Sequence, residues 1–126
     1  MKVREWPPAS YDLALGRWAR VGKTPLRDLD VGEQTLRIPP HEVAYVETEE
    51  SLKMPNDLVA TFGLRMKWVF HGLIIPPQTP IDPGYEGKIF ILLFNLSNST
   101  VHIARGEHII SMEFRRIAPT EGYRGQ

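Results

Sequence analysis

The sequence has no cysteine, no net charge and no long apolar run, and each absence removes a class of function. Without cysteine there is no disulfide framework, no thiolate zinc site and no cysteine nucleophile, which suits a reducing compartment. Fifteen basic residues balance fifteen acidic ones. No block of like charge occurs, so nothing marks a nucleic acid or an anionic membrane as partner. No stretch approaches the roughly eighteen apolar residues of a membrane span. The opening MKVREWPPAS lacks the apolar centre of a signal peptide. The expectation is a soluble, cytoplasmic protein.

Proline and glycine, by contrast, are plentiful. Eleven prolines and ten glycines spread through 126 residues favour many short strands and turns over long helices. A chain of this length that is 42% apolar can bury a real core, with roughly two-thirds of the unfolded surface removed on folding. There is no internal repeat and no linker, so one domain over 1–126 is expected, with 115–126 as a polar C-terminal tail.

In chain order, residues 1–8 read as an extended polar lead-in. In ASYDLALG (9–16), Tyr11, Leu13 and Leu15 alternate with Ser10, Asp12 and Ala14, the period-2 pattern of a half-buried strand. A short helix capped by Ser10 and ended by Gly16 is the competing reading. Residues 17–34 read as a charged loop with at most one short strand, 35–38 as a short strand, and 41–47 as another. The run 48–58 reads as a strand end, a proline turn and re-entry into the next strand. Leu64, Met66, Trp68 and Phe70 alternate with Arg65, Lys67, Val69 and His71, which predicts a strand with an aromatic-rich buried face. Val101–Ile103 and His108–Phe114 predict a hairpin around 104–107. That register would turn His102 and His108 to opposite sides of the sheet, away from any shared metal.

The stretch from Ile74 to Glu113 is the most informative. Pro76, Pro77, Pro80 and Pro83 make the approach to Asp82 stiff and extended. Gly84 and Gly87 bracket Tyr85-Glu86 where a tight turn is needed. Ile89–Phe94 is uninterrupted apolar sequence, the composition of a strand covered on both faces. The result is a rigid turn presenting one carboxylate and one aromatic ring. Asp82 can act chemically there, or it can cap its own loop as an Asx-turn.

These motifs resemble the dUTPase and dCTP deaminase superfamily. The resemblance rests on IDPGYEG (81–87), the apolar strand ending in Asn95, Gly106-x-x-Ile109, the P-x-S-x-D-L-x-L-G pattern at 8–16, and Thr48-x-Glu50 followed by Leu52 to Leu58. Two further pieces are Arg65 with Gly72-Leu73 and the terminal Tyr123-Arg124-Gly125-Gln126. It covers about residues 8–126. It implies an all-β, distorted jelly-roll-like, dUTPase-type β-barrel or sandwich assembled as a homotrimer with sites between subunits. It also implies a deoxynucleoside triphosphate ligand of the pyrimidine series, with Mg²⁺ carried by the nucleotide.

Residue by residue, the resemblance makes Asp82 the group that orients and deprotonates the attacking water, and places Tyr85 on the deoxyribose. Ile81, Gly84, Arg65 and Gln126 become nucleotide contacts. Asp12 becomes a holder of metal-bound water, against the plainer reading of a turn or cap residue. Arg65 equally well solvates an exposed strand face. The chain ends at Gln126, so a lid of the family's kind is expected to be incomplete. Several family residues are missing. The deaminase's proton-shuttling glutamate falls on Leu92, its paired serines on Met66 and Lys67, and its second arginine on Phe70. In G-D-R-I-A-Q the arginine and glutamine become His108 and Ser111. The implied function is nucleotide binding with at most a weak dUTP or dCTP diphosphatase and no deaminase. The alternative is a non-catalytic oligomeric or regulatory module that keeps the fold.

Overall fold

Period-2 alternation builds most of the molecule. The computed structural model describes residues 10–117. These form β1 (Ser10–Val21), β2 (Arg27–Asp28), β3 (Thr35–Ile38), β4 (Val43–Lys53), β5 (Leu58–Leu64), α1 (Met66–Phe70), β6 (Leu73–Ile74), β7 (Glu86–Asn95), β8 (Val101–Ala104) and β9 (His108–Arg116). The large sheet runs β5-β9-β1-β4-β7-β6, with β2 added to β1, and β3-β8 forms a second, small sheet. All named strand pairs are antiparallel. The expected all-β, barrel-like architecture is what the chain adopts.

β1 serves both halves of the large sheet. Its first residues pair with β9 and its later ones with β4, with an irregularity at each change of partner. Gly16 sits at that crossover. A Cβ there would stand 2.6 Å from the Thr48 carbonyl carbon and oxygen, so a side chain would push the strands apart. Across the bulge in β4, the Thr48 hydroxyl accepts from the Ile89 amide (3.1 Å) and donates to the Glu50 carbonyl (2.9 Å). It replaces backbone partners that the bulge removes. The core is the inner face: Leu13, Leu15, Val46, Ile91, Leu93 and Ile110, among others, are each almost fully buried.

Asn95, at the end of β7, staples the small sheet to the large one. Its amide nitrogen donates to the carbonyls of Ile38 (2.9 Å), Pro39 (3.1 Å) and Ser99 (2.9 Å). Its carbonyl oxygen accepts from the Ser97 amide (2.9 Å) and hydroxyl (2.7 Å). The side chain is 1% exposed, so these bonds are made out of reach of water.

Several sequence expectations are corrected. Residues 64–71 are not a strand. β5 ends at Leu64, Arg65 keeps extended backbone angles, and one helical turn follows. Leu64 and Trp68 are four apart, so helical spacing turns Trp68 inward, where its indole donates to the His108 carbonyl (2.8 Å). Met66 and Phe70 are exposed, Phe70 by 81%. The predicted 101–114 hairpin is not formed either. β8 pairs with β3 and β9 with β5 and β1, because the turn between them is clamped to β1 by Leu15–Glu107 and Gly106–Leu15 backbone bonds.

Residues 17–21 continue β1 instead of starting a loop, since Arg17 is tied across to Asp28 on β2. Residues 48–53 continue β4 because Thr48 repairs the bulge. Arg115 and Arg116 belong to β9, paired with Val59 and Leu58, and not to a tail. The expectations for residues 1–8 and for Gln126 lie outside the described residues. Finally, Ile89–Phe94 is covered on one face only within this chain. Ile89, Ile91 and Leu93 are buried, while Leu92 and Phe94 are partly exposed and Phe90 is 42% exposed. On that outer face Phe90 stacks on Tyr45 (5.0 Å, 7°) beside exposed Val43.

Candidate functional site

The turn at Asp82 is built by local chemistry and pinned by its neighbours. Pro83 and Gly84 occupy the two central positions, Gly84 at φ +78°, and the Tyr85 amide donates to the Asp82 carbonyl (3.2 Å). This is the proline-then-glycine arrangement of a type II turn. The preceding Ile81 exchanges two backbone bonds with Ala60 of β5 (2.7 and 3.2 Å). The Met54 amide donates to Tyr85, and the Gly84 amide to Pro55.

The Asp82 side chain is exposed and makes no hydrogen bond or ion pair among the described residues. The loop-capping role is therefore not the one it takes. Tyr85 lies along the start of β7, its hydroxyl donating to the Lys88 carbonyl (2.6 Å), its ring next to Gly87. Asp82, Gly84 and Tyr85 are brought together as the sequence implies, with Ile81 as their inward anchor.

A second constellation forms at the far end of the same sheet. Asp12 and Ser111 are register partners on β1 and β9, and Ser111 partners Gly63 on β5. The Ser111 hydroxyl donates to Asp12 Oδ1 (2.7 Å), and Arg65 forms an ion pair with Asp12 Oδ2. The Ser111 hydrogen bond, and then the Arg65 charge, lower the Asp12 carboxyl against the opposing effect of burial. Asp12 is thus neither a free turn residue nor a free ligand, and Arg65 is not merely solvated. Ser111 is a participant that sequence reading missed, because nothing local marks a residue 99 positions from its partner.

The two constellations share one face but do not touch. The Ile81–Ala60 bridge sets Asp82 beside Val59, and residues 59, 61 and 63 point to the same side of β5. Four residues of strand separate the Val59 and Gly63 rows, about 13 Å at the usual rise.

Both Asp12 oxygens are engaged, and the described residues contain no group of three or more histidine or acidic side chains able to hold a metal. This donor set does not fit a resident Mg²⁺. Within the described residues, no helix is long and apolar enough to cross a membrane. At the deaminase positions, Leu92 projects from the half-open outer face of β7, and Met66 and Lys67 are exposed on α1.

Comparison with known proteins agrees with this fold. The dCTP deaminase-like family profile matches residues 3–117. The dCTP deaminase of Thermococcus kodakarensis is 38% identical over 120 residues, covering 94% of this chain and 76% of that protein. The dCTP deaminase of Pyrococcus furiosus is 36% identical over 110 residues, covering 87% and 69%. Among solved structures, the 2'-deoxycytidine 5'-triphosphate deaminase of Agrobacterium tumefaciens superposes with a TM-score of 0.71 at 21% identity, over 86% of this chain and 40% of that one. The EIAV dUTPase gives 0.64 at 17% identity, over 99% and 88%. The family match and the curated relatives, on a fold shared with both enzyme types, lead to one assignment: this chain belongs to the dCTP deaminase-like family of the dUTPase and dCTP deaminase superfamily.

Proposed function

We propose that the protein binds pyrimidine deoxynucleoside triphosphates and hydrolyses them as a weak dUTPase-type diphosphatase, without deaminating them. The observation that carries this reading is the Asp82 carboxylate, accessible and unpaired among the described residues on a turn fixed by Pro83, Gly84 and five backbone bonds. A carboxylate held this way can orient a water and take its proton as the water oxygen bonds to the α-phosphorus. The bond to the bridging oxygen then breaks, releasing pyrophosphate and a nucleoside monophosphate. The substrate enters as its Mg²⁺ complex, and Arg65 is the phosphate-contacting cation. Cysteine-free composition suits the cytoplasm.

Deamination is absent in this reading because Leu92 stands where a proton shuttle is needed. The expected result is no ammonia from dCTP above the uncatalysed background. Leu92→Glu alone does not restore it, because Met66 and Phe70 also lack the required groups. Ammonia release by the wild-type protein, abolished by a site substitution, would reverse this conclusion.

The protein acts as a homotrimer. Two features support this: the apolar outer face of β4 and β7, and the separation of Asp82 from the Asp12–Arg65–Ser111 group within one chain. An outer face carrying Val43, Tyr45, Phe90, Leu92 and Phe94 suits burial against another copy. Sedimentation equilibrium at micromolar concentration is expected to give three times the 14.4 kDa chain mass. A monomer would sink the assembly.

A second reading has its own observation. Met66 and Phe70 expose apolar surface where the family places a serine and an arginine, which suits a non-catalytic oligomeric or regulatory module. A thermal-shift screen of dUTP and dCTP with and without Mg²⁺ separates the two. A ligand at a hundred times its Kd adds about 2.7 kcal/mol of stability, and no shift with any nucleotide favours the module.

A further inference from the structure

Beside Asp82 lies a depression of about 430 Å³ lined by Val59, Thr79, Pro80, Asp82 and Arg115. Its volume falls in the range of small-molecule sites. Asp82 and Arg115 project from the same face, across Val59, which is the register partner of Arg115. Neither side chain makes a hydrogen bond or ion pair among the described residues, with each other or with anything else. An exposed guanidinium and a carboxylate thus share one floor without closing on each other. Arg116, the next residue, reaches the other way to Asp57 (3.8 Å), so the pair does not compete for one acceptor.

The charges around Arg115 narrow what it can receive. Glu113 lies two residues along β9 on the same face and lines the adjoining hollow with Val59 and Thr61. One guanidinium flanked by Asp82 and Glu113 favours an anion of low charge over a chain of free phosphates. It presents a planar fork of donors suited to phosphate oxygens. The buried Val59 floor offers an apolar surface to a sugar or base edge.

We infer that Arg115 forms the subsite for the α-phosphate of the nucleotide, next to the water that Asp82 activates. This rests on the diphosphatase reading for the identity of the phosphate, and adds a binding residue that the turn motif does not contain. Arg115 holds the phosphorus centre and stabilises the charge that grows on its oxygens during attack. After the bond breaks, it retains the nucleoside monophosphate. Asp82 and Arg115 line one depression of the same chain, so one subunit supplies both the general base and its phosphate anchor.

The test uses the full chain and measures binding of dUMP and of deoxyuridine by calorimetry, for wild type, Arg115→Gln and Arg115→Lys, with a melting curve for each. The expected result is that wild type prefers dUMP and that this preference falls about tenfold or more in Arg115→Gln. Arg115→Lys recovers part of it, deoxyuridine binding is unchanged, and melting temperatures agree. An unchanged preference in Arg115→Gln overturns the inference, as does equal loss of both ligands or a wild type that binds neither. Arg115-dependent dUMP binding without hydrolysis of dUTP would uphold the subsite and reject the diphosphatase reading. Hydrolysis unaffected by Arg115→Gln would do the reverse.

Discussion

Asp82→Asn is expected to lower hydrolysis of dUTP and dCTP by roughly 10²–10⁴-fold, the usual contribution of a positioned general base. The melting temperature should hardly move. The turn is set by Pro83, by Gly84 at positive φ and by backbone bonds from Ile81, Gly84 and Tyr85, and the carboxylate takes part in none of them. Nucleotide binding should change much less than rate, because the amide is nearly isosteric and only proton acceptance is lost. The check is a side-by-side hydrolysis assay with Mg²⁺ for the two proteins. Equal rates would remove Asp82 from the mechanism and with it the diphosphatase reading.

Why this turn was legible while the Asp12–Arg65–Ser111 group was not follows from the range of the forces involved. Asp-Pro-Gly-Tyr specifies its own turn through fixed φ and a glycine at positive φ, so Asp82 could be placed from a few letters. Asp12, Arg65 and Ser111 meet only because β9 enters between β5 and β1, and no local pattern announces that register. The resemblance named Asp12 and Arg65 individually but not as an ion pair.

The 64–71 segment failed for a different reason. Alternation and helical spacing both place Leu64 and Trp68 on one side, and only the tertiary need of the indole for the His108 carbonyl decides between them. The short 104–107 connection looked like a hairpin because length alone cannot distinguish a turn within one sheet from a corner between two. Ile89–Phe94 had the right strand but the wrong environment, since apolar composition reports burial somewhere and not burial within one chain.

The largest expected loss of stability is at Asn95. Asn95→Asp keeps the shape, removes both N–H donors and points a carboxylate at the carbonyls of Ile38, Pro39 and Ser99. Stripping donors from a buried network and leaving a charge unpaired costs on the order of 3 kcal/mol or more. For a domain of this size that corresponds to a fall in melting temperature of roughly 10 °C or more. Thermal unfolding followed by circular dichroism measures it directly. A melting temperature within about 2 °C of wild type, below the shift expected for 1 kcal/mol, would show that the staple is not what joins the two sheets.

The position of β9 has a consequence for the order in which the protein is made. β9 is the last described strand, yet it lies between β5 and β1, both synthesised earlier. Until it docks, each of those strands presents an unpaired edge, the kind of surface that recruits other chains. The nascent chain therefore carries two open edges until residues 108–116 emerge. Pairings of such sequence separation close late, because the loop entropy is spent before the contacts form. Ser111 arrives with that strand, and Arg115 lies on it as well. The groups around both carboxylates are thus completed in the same step that seals the sheet, and a chain interrupted before that step lacks both groups and is prone to associate.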